Sequence, residues 1–168
     1  MSETLKQATI KIGFKRVHPN AVLPKYAHEG DAGMDVCAVE DVELKPGKAT
    51  LVSTGLIADI PEGYEIQVRP RSGLALKQNI TVWNSPGTVD QNYRGVIGVI
   101  MLYQPSLSDI QLKGLGLVFP IYVESKIIHQ GDRIAQLVVA PVTRCNPVEV
   151  KEVSDTDRGT GGFGSTGV

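Results

Sequence analysis

The sequence predicts an all-β domain, a sandwich or a barrel, on three observations. Short runs rich in Val, Ile, Leu and Thr recur along the chain, and several alternate with period two. Turn residues separate most of them: 18 of the 168 residues are glycine and 10 are proline. Apolar residues nowhere hold a helical spacing over three turns. Many short strands joined by Gly/Pro turns belong to sandwiches and barrels.

Taken in order, the first clear strand is Val42–Leu44, which runs into the turn Lys45-Pro46-Gly47. Segment 49–60 is rich in β-branched residues and stops at Pro61-Glu62-Gly63. Segment 64–68 alternates cleanly. One helix of a turn or two is expected after Arg71, through Ser72–Gln78. Segments 96–103, 117–123 and 134–142 are apolar runs, and 148–153 alternates as Val-Glu-Val-Lys-Glu-Val. A small β domain has edges to protect and little core per residue, which favours oligomerisation. The unbroken 96–103 run reads as a strand with protein on both faces and suggests a subunit interface.

Size and charge narrow the function classes. A chain of 168 residues fits one domain, and 42% apolar residues suffice for a packed core. Its 17 basic and 18 acidic residues nearly cancel, which argues against direct nucleic-acid binding or a membrane-surface protein. A small anionic ligand stays open, since a few arginines suffice for it. Cys37 and Cys145 form no CxxC pair, and His18, His28 and His129 have no metal-ligand spacing, so neither a disulfide framework nor a zinc site is expected. Residues 1–15 hold no apolar leader and no run is long enough to span a bilayer, so the expected compartment is cytoplasmic.

Several segments carry chemistry. Arg158 to Thr166 reads Arg-Gly-Thr-Gly-Gly-Phe-Gly-Ser-Thr. Glycines free successive N–H groups for an anion, hydroxyls add donors, and Arg adds a planar fork. The segment has no Walker lysine, and its lone aromatic, Phe163, suits stacking on a base. By composition 155–168 cannot fold alone and also reads as a disordered tail. Arg69-Pro70-Arg71-Ser72-Gly73 joins a strand to a helix start, a place suited to an anion and equally to a plain capped helix. Asp31, Asp35, Asp90 and Asp132 lie in turn-forming surroundings, and each alone reads as a turn residue. Together, two phosphate-suited segments and several carboxylates without transition-metal ligands suggest a Mg²⁺-dependent reaction on a polyphosphate.

Five ordered motifs then resemble those of the trimeric deoxyuridine triphosphate nucleotidohydrolases, the dUTPases. They are Asp31-Ala32-Gly33-Met34-Asp35-Val36; Pro70-Arg71-Ser72-Gly73-Leu74-Ala75; Gly87-Thr88-Val89-Asp90-Gln91-Asn92-Tyr93-Arg94-Gly95; Gly131-Asp132-Arg133-Ile134-Ala135-Gln136-Leu137; and Arg158 through Ser165. The resemblance covers nearly all the chain after about residue 20. It implies a jelly-roll-like β fold and a homotrimer with shared sites. It also implies Mg²⁺-assisted hydrolysis of dUTP to dUMP and pyrophosphate, which limits uracil incorporation into DNA and supplies dUMP. Carried over, Asp90 would activate the attacking water, Asp35 would hold Mg²⁺ through water, and Arg71 would organise the site around them. Ser72, Gly73 and Gln136 would bind phosphate. Asn84 would help read the uracil, Tyr93 would pack on the deoxyribose, and Gly87 and Val89 would also bind the substrate. Phe163 would stack on the base, with Arg158, Ser165 and Thr166 on the γ-phosphate, and Gly162 and Gly164 would also bind the substrate. Residues 1–154 would then form the β domain and 155–168 an arm over a neighbour's site.

Two departures stand out. Val96 occupies a position where many members carry a polar residue. Segment 104–130 is longer than the family's usual hairpin, as in some phage members, and reads as an elaborated surface loop or a protein-partner surface. Two alternatives follow: a dCTP deaminase, alone or bifunctional, and a dUTP-responsive regulator acting through 104–130.

Overall fold

The computed structural model describes residues 9–106, 110–112 and 121–162. Among them the chain forms thirteen strands and one short helix. The strands are β1 (Gly13–Arg16), β2 (Met34–Cys37), β3 (Val42–Leu44), β4 (Thr50–Ser53), β5 (Leu56–Asp59), β6 (Tyr64–Arg69), β7 (Ile80–Val82), β8 (Gly87–Val89), β9 (Gly98–Tyr103), β10 (Ile110–Leu112), β11 (Ile121–Val123), β12 (Lys126–Ile128) and β13 (Arg133–Pro141). The helix α1 (Ser72–Gln78) lies between β6 and β7.

A four-stranded antiparallel sheet, β2-β13-β6-β8, and a three-stranded one, β4-β9-β7, make the two main faces. Pairs β1-β5, β3-β12 and β10-β11 complete the set. Every second side chain of a strand faces the core. Val36, Ile66, Val68, Val89 and Leu137 come from the larger sheet, and Val52, Ile80, Val82, Val99 and Met101 from the smaller, all in one buried cluster. This is the expected jelly-roll-like β-sandwich.

The expected helix forms over the expected residues. Pro70 and the extended backbone of Arg71 (φ −88°, ψ 126°) precede it, and Asn79 in the left-handed region (φ 56°) ends it. Asp31 accepts from the His28 N–H at 2.9 Å and Asp132 from the His129 N–H at 2.8 Å, so both work as turn residues.

Three elements differ from expectation. Segment 49–60 is two strands in different sheets rather than one. Thr54 is fully buried and donates through its hydroxyl to the Ile97 carbonyl at 2.7 Å. Gly55 follows with φ +63°, where a Cβ would lie 2.6 Å from His18 Cβ. Polar satisfaction at Thr54 and the left-handed turn at Gly55 break the apolar run. Segment 148–153 is not a strand. Val148, Val150 and Val153 are exposed, Val153 at 85%, and no strand among the described residues pairs with them. Alternation marks a strand only where an edge is available. In the 117–123 run only Ile121–Val123 is described, as β11; the rest lies outside the described residues.

The long segment 104–130 holds an antiparallel pair, β10-β11, that joins no other strand among the described residues, and then β12, which pairs with β3. Strand β9 is central in its sheet, with Val99, Met101, Leu102 and Tyr103 buried.

Candidate active site

Strand β13 gathers the motifs. Its Gln136 stands opposite Asp35 on β2 and opposite Arg69 on β6. One residue on, Leu137 faces Val68, which in turn faces Gly87 on β8. Stretches far apart in sequence thereby meet on two adjacent rungs. Gly33 is buried beside Gln136, and a Cβ there would come within 3.1 Å of Gln136 Cβ.

Asp35 is the charged centre of the β2 side. Arg71 donates from Nε to Oδ1 at 3.0 Å, and Arg133 from Nη1 to Oδ2 at 3.0 Å. A further Arg71 bond reaches the Arg133 carbonyl at 3.2 Å. The Asp35 side chain is only 13% exposed, so these are partly desolvated, charge-assisted bonds. Cys37 sits on the same face of β2, and burial first, then the Asp35 charge, push its thiol above the ordinary range. Asp41 braces the turn before Arg133. It accepts from the Gln130 N–H at 2.7 Å and contacts His129 Nδ1 at 3.3 Å, and these bonds hold its carboxyl below the usual range.

Ser72 and Gly73 open α1 and are exposed. Gly73 has an ordinary φ, and a Cβ there would meet nothing within 4 Å. Neither backbone nor packing in this chain demands glycine at that point.

On the β8 side a cavity of about 110 Å³ is lined by Asn84, Gly87, Thr88, Val89 and Tyr93 over Val68 and Ile97. That is far below the roughly 300–1,000 Å³ of pockets enclosing a drug-sized ligand, and it suits a ring rather than a whole nucleotide. Asp90 follows β8 directly and is exposed; its carbonyl accepts from the Tyr93 N–H at 3.0 Å. Nothing among the described residues hydrogen-bonds or ion-pairs with its carboxylate. Arg94 closes the turn, donating to the Gln91 and Tyr93 carbonyls at 2.6 and 3.1 Å and to Asp59 Oδ1 at 3.0 Å.

The expected residues thus fall in two groups on opposite edges of the four-stranded sheet. Three strand spacings of about 4.8 Å put roughly 14 Å between the β2 and β8 edges. Arg158 joins neither group: its Nε donates to the Gly161 carbonyl at 2.8 Å within its own turn. Gly162 has open space where a Cβ would lie. Phe163, Gly164, Ser165 and Thr166 lie outside the described residues.

Comparison with known proteins decides the family. The dUTPase family profile matches residues 19–115 and 104–167. The chain belongs to the dUTPase family. It is 52% identical over 152 residues to the deoxyuridine 5'-triphosphate nucleotidohydrolase of Picosynechococcus sp., covering 90% of this chain and 95% of the relative. It is 49% identical over 167 residues to that of Wolinella succinogenes, covering 99% of both. Among solved structures it resembles the dUTPase of Staphylococcus bacteriophage 80alpha with dUpNHpp. The TM-score is 0.80 and identity 30%, covering 95% of this chain and all of the other. The work on that phage protein ascribes to phage dUTPases control of virulence-gene transfer. A dUTPase of phage phi11 of S. aureus, described with a species-specific insert, matches with TM-score 0.73 and 25% identity over 88% of this chain and all of that one.

The geometry brings Arg133 and Thr88 to the candidate site, and the sequence reading gave neither a role. Both lie inside motifs, and neither residue type announced its place. Arg133 shares Asp35 with Arg71, and Thr88 lines the ring-sized cavity. Among the described residues no helix is long and apolar enough to cross a membrane.

Proposed function

We propose that this chain hydrolyses dUTP to dUMP and pyrophosphate in the cytoplasm, as a homotrimer with sites shared between subunits. The observation that carries the reading is the small cavity of Asn84, Gly87, Val89 and Tyr93 with the unengaged Asp90 carboxylate beside it. In this reading the cavity takes the uracil and Tyr93 covers C2′ of the sugar, leaving no room for a ribose hydroxyl. Asp90 accepts a proton from a water molecule as its oxygen bonds to the α-phosphorus. The bond from that phosphorus to the α,β-bridging oxygen breaks, and pyrophosphate leaves with the electron pair.

Ser72, the Gly73 N–H and Gln136 bind the phosphates, and the open space over Gly73 supports a close backbone approach. The arm supplies Phe163 against the base, and Arg158, Gly162, Gly164, Ser165 and Thr166 around the γ-phosphate. It shields the reaction from bulk water.

The donor set fits Mg²⁺ brought in by the triphosphate. Described residues hold no cluster of three or more His, Cys, Asp or Glu side chains suited to a metal. Both Asp35 oxygens already accept from guanidinium groups, so Asp35 would hold the ion through water. When bound, Mg²⁺ neutralises the phosphate oxygens and stabilises the departing pyrophosphate.

Two features support the trimer. The Asp35 and Asp90 groups lie on opposite edges of one sheet, roughly 14 Å apart by strand spacing, which favours a site completed by a second subunit. Exposed Val148, Val150 and Val153, and exposed Ile10, Leu23 and Tyr26 in an open groove, call for cover from another subunit.

A second reading adds a protein partner at 104–130. It is favoured by the β10-β11 pair, which pairs with no other strand among the described residues, and by the likeness to phage dUTPases.

Incubation with dUTP, dCTP, dTTP and UTP plus Mg²⁺ tests the main reading. It expects dUMP and pyrophosphate from dUTP alone. Orthophosphate release, or survival of dUTP while another nucleotide is consumed, refutes it; ammonia from dCTP would favour the deaminase. Replacing 107–123 with a short turn should leave hydrolysis intact if that segment serves a partner.

A further inference from the structure

The geometry points to Gly95 as a specificity-determining position: the absence of its side chain is the seat of the Tyr93 ring, and that seat sets selectivity for deoxyribose over ribose. The inference rests on the proposed role of Tyr93 as the wall beside C2′. A Cβ built on Gly95 would overlap the Tyr93 hydroxyl and lie 2.5 Å from its Cζ and 2.9 Å from its Cε2. Carbon atoms in good contact stand about 3.5–4.0 Å apart. All three nearest atoms belong to the Tyr93 side chain.

Backbone conformation does not explain the glycine. The φ of Gly95 lies outside the left-handed region, unlike those of Gly55 or Gly131, so alanine could adopt the same backbone. The turn itself is pinned. Arg94 ties the Gln91 and Tyr93 carbonyls and reaches Asp59, and the Gly63 N–H donates to Gln91 Oε1 at 3.2 Å. With a methyl group at 95, the ring has to move rather than the chain.

The direction of that movement follows from the surroundings. The ring is held over the turn by a bond from its hydroxyl to the Val96 carbonyl at 3.2 Å. A swing to its other side would carry the ring into the cavity proposed for the uracil, about 110 Å³ and floored by Val68 and Ile97, and would block dUTP rather than shift the sugar preference. Tyr93 is already 47% exposed, so the ring swings outward to solvent. The wall beside C2′ is then lost, as if Tyr93 had been truncated.

A double-variant cycle tests this with kcat/KM for dUTP and UTP. Tyr93→Ala should lower the dUTP:UTP ratio on the order of tenfold, the scale at which apolar walls discriminate. Gly95→Ala should lower it in the same direction by a comparable factor. In the Tyr93→Ala background the clash is gone, so Gly95→Ala should shift the ratio by less than about twofold. If Gly95→Ala alone fails to fold while the double variant folds, the seat serves folding rather than selectivity, and the inference is overturned. A lowered ratio in Tyr93→Ala with none in Gly95→Ala overturns this inference alone. An undiminished effect of Gly95→Ala in the Tyr93→Ala background does the same. An unchanged ratio in Tyr93→Ala overturns both the sugar-wall reading and this one.

Discussion

Replacing Asp35 with Asn keeps the size of the side chain and removes the charge that Arg71 and Arg133 share. Both bonds measure 3.0 Å, so distance does not rank them; burial does. The Arg71 side chain is 24% exposed and that of Arg133 56%. A hydrogen bond to a charged group contributes about 1.5–3 kcal/mol when shielded, and an exposed ion pair about 0–1 kcal/mol. Arg71 also carries the 3.2 Å bond to the Arg133 carbonyl, which fixes its fork. The expected coupling is therefore about 1.5–3 kcal/mol for Asp35 with Arg71 and under about 1 kcal/mol for Asp35 with Arg133. Two double-mutant cycles measure this, using Asp35→Asn with Arg71→Met and with Arg133→Met. Urea unfolding at one fixed protomer concentration supplies the free energies. Raising the salt should shrink the Arg133 coupling more than the Arg71 coupling. An Arg133 coupling equal to or above that of Arg71 would refute the ranking by burial.

Asp90→Asn should cut turnover by about 10²–10⁴-fold while dUTP binding, measured by calorimetry, largely survives; near-normal turnover would remove Asp90 from the mechanism. Asp41, held below the usual carboxylate range by the Gln130 N–H and then His129, should stabilise the fold above its unfolded-state pKa. That contribution is lost as pH falls through the lower folded-state value. The Tm gap between the parent chain and Asp41→Asn should thus be constant near neutrality and close in acid; a gap that widens in acid contradicts the bonding. If sites are shared, Asp90→Asn and a chain truncated after Asp155, both inactive, should recover about a quarter of full activity when co-refolded in equal amounts. Background activity in mixed trimers confirmed by mass would rule out an arm and an Asp90 from different subunits.

Local chemistry made part of this molecule legible. The period-two pattern of 64–68 marks β6, and Pro70 and Asn79 bound helix α1. The jelly-roll-like arrangement was legible only through the motifs, because alternation says which face a residue takes and not which strand lies beside it. The split at Thr54 and Gly55 was hidden because it depends on a hydroxyl bonding a carbonyl 43 residues away. Thr88 gave no signal because its place in the cavity comes from the pairing of β8 with β6. Segment 148–153 shows the converse. Its alternation is real, but no strand edge among the described residues pairs with it.

Arg133 shows most clearly why register outranks pattern. From Gln136 to Ala135 the pairing of β13 with β2 is regular: Gln136 faces Asp35 and Ala135 faces Val36. Continued without interruption, that ladder would set Arg133 opposite Ala38, on the face away from Asp35. Instead the register shifts between Ala135 and Arg133, and Arg133 stands opposite Cys37. Residues 35 and 37 of one strand share a face, so the shift puts Arg133 on the same side as Asp35. The irregularity is visible in the core, where Ile134 and Ala135 are both buried in succession, 1% and 0% exposed, before alternation resumes at Gln136 and Leu137. A β-bulge re-aims a side chain in this way beside functional sites. Strict period-two reasoning assigns Arg133 to the wrong face. The bulge is the structural feature that lets two arginines, 62 residues apart, close on a single carboxylate.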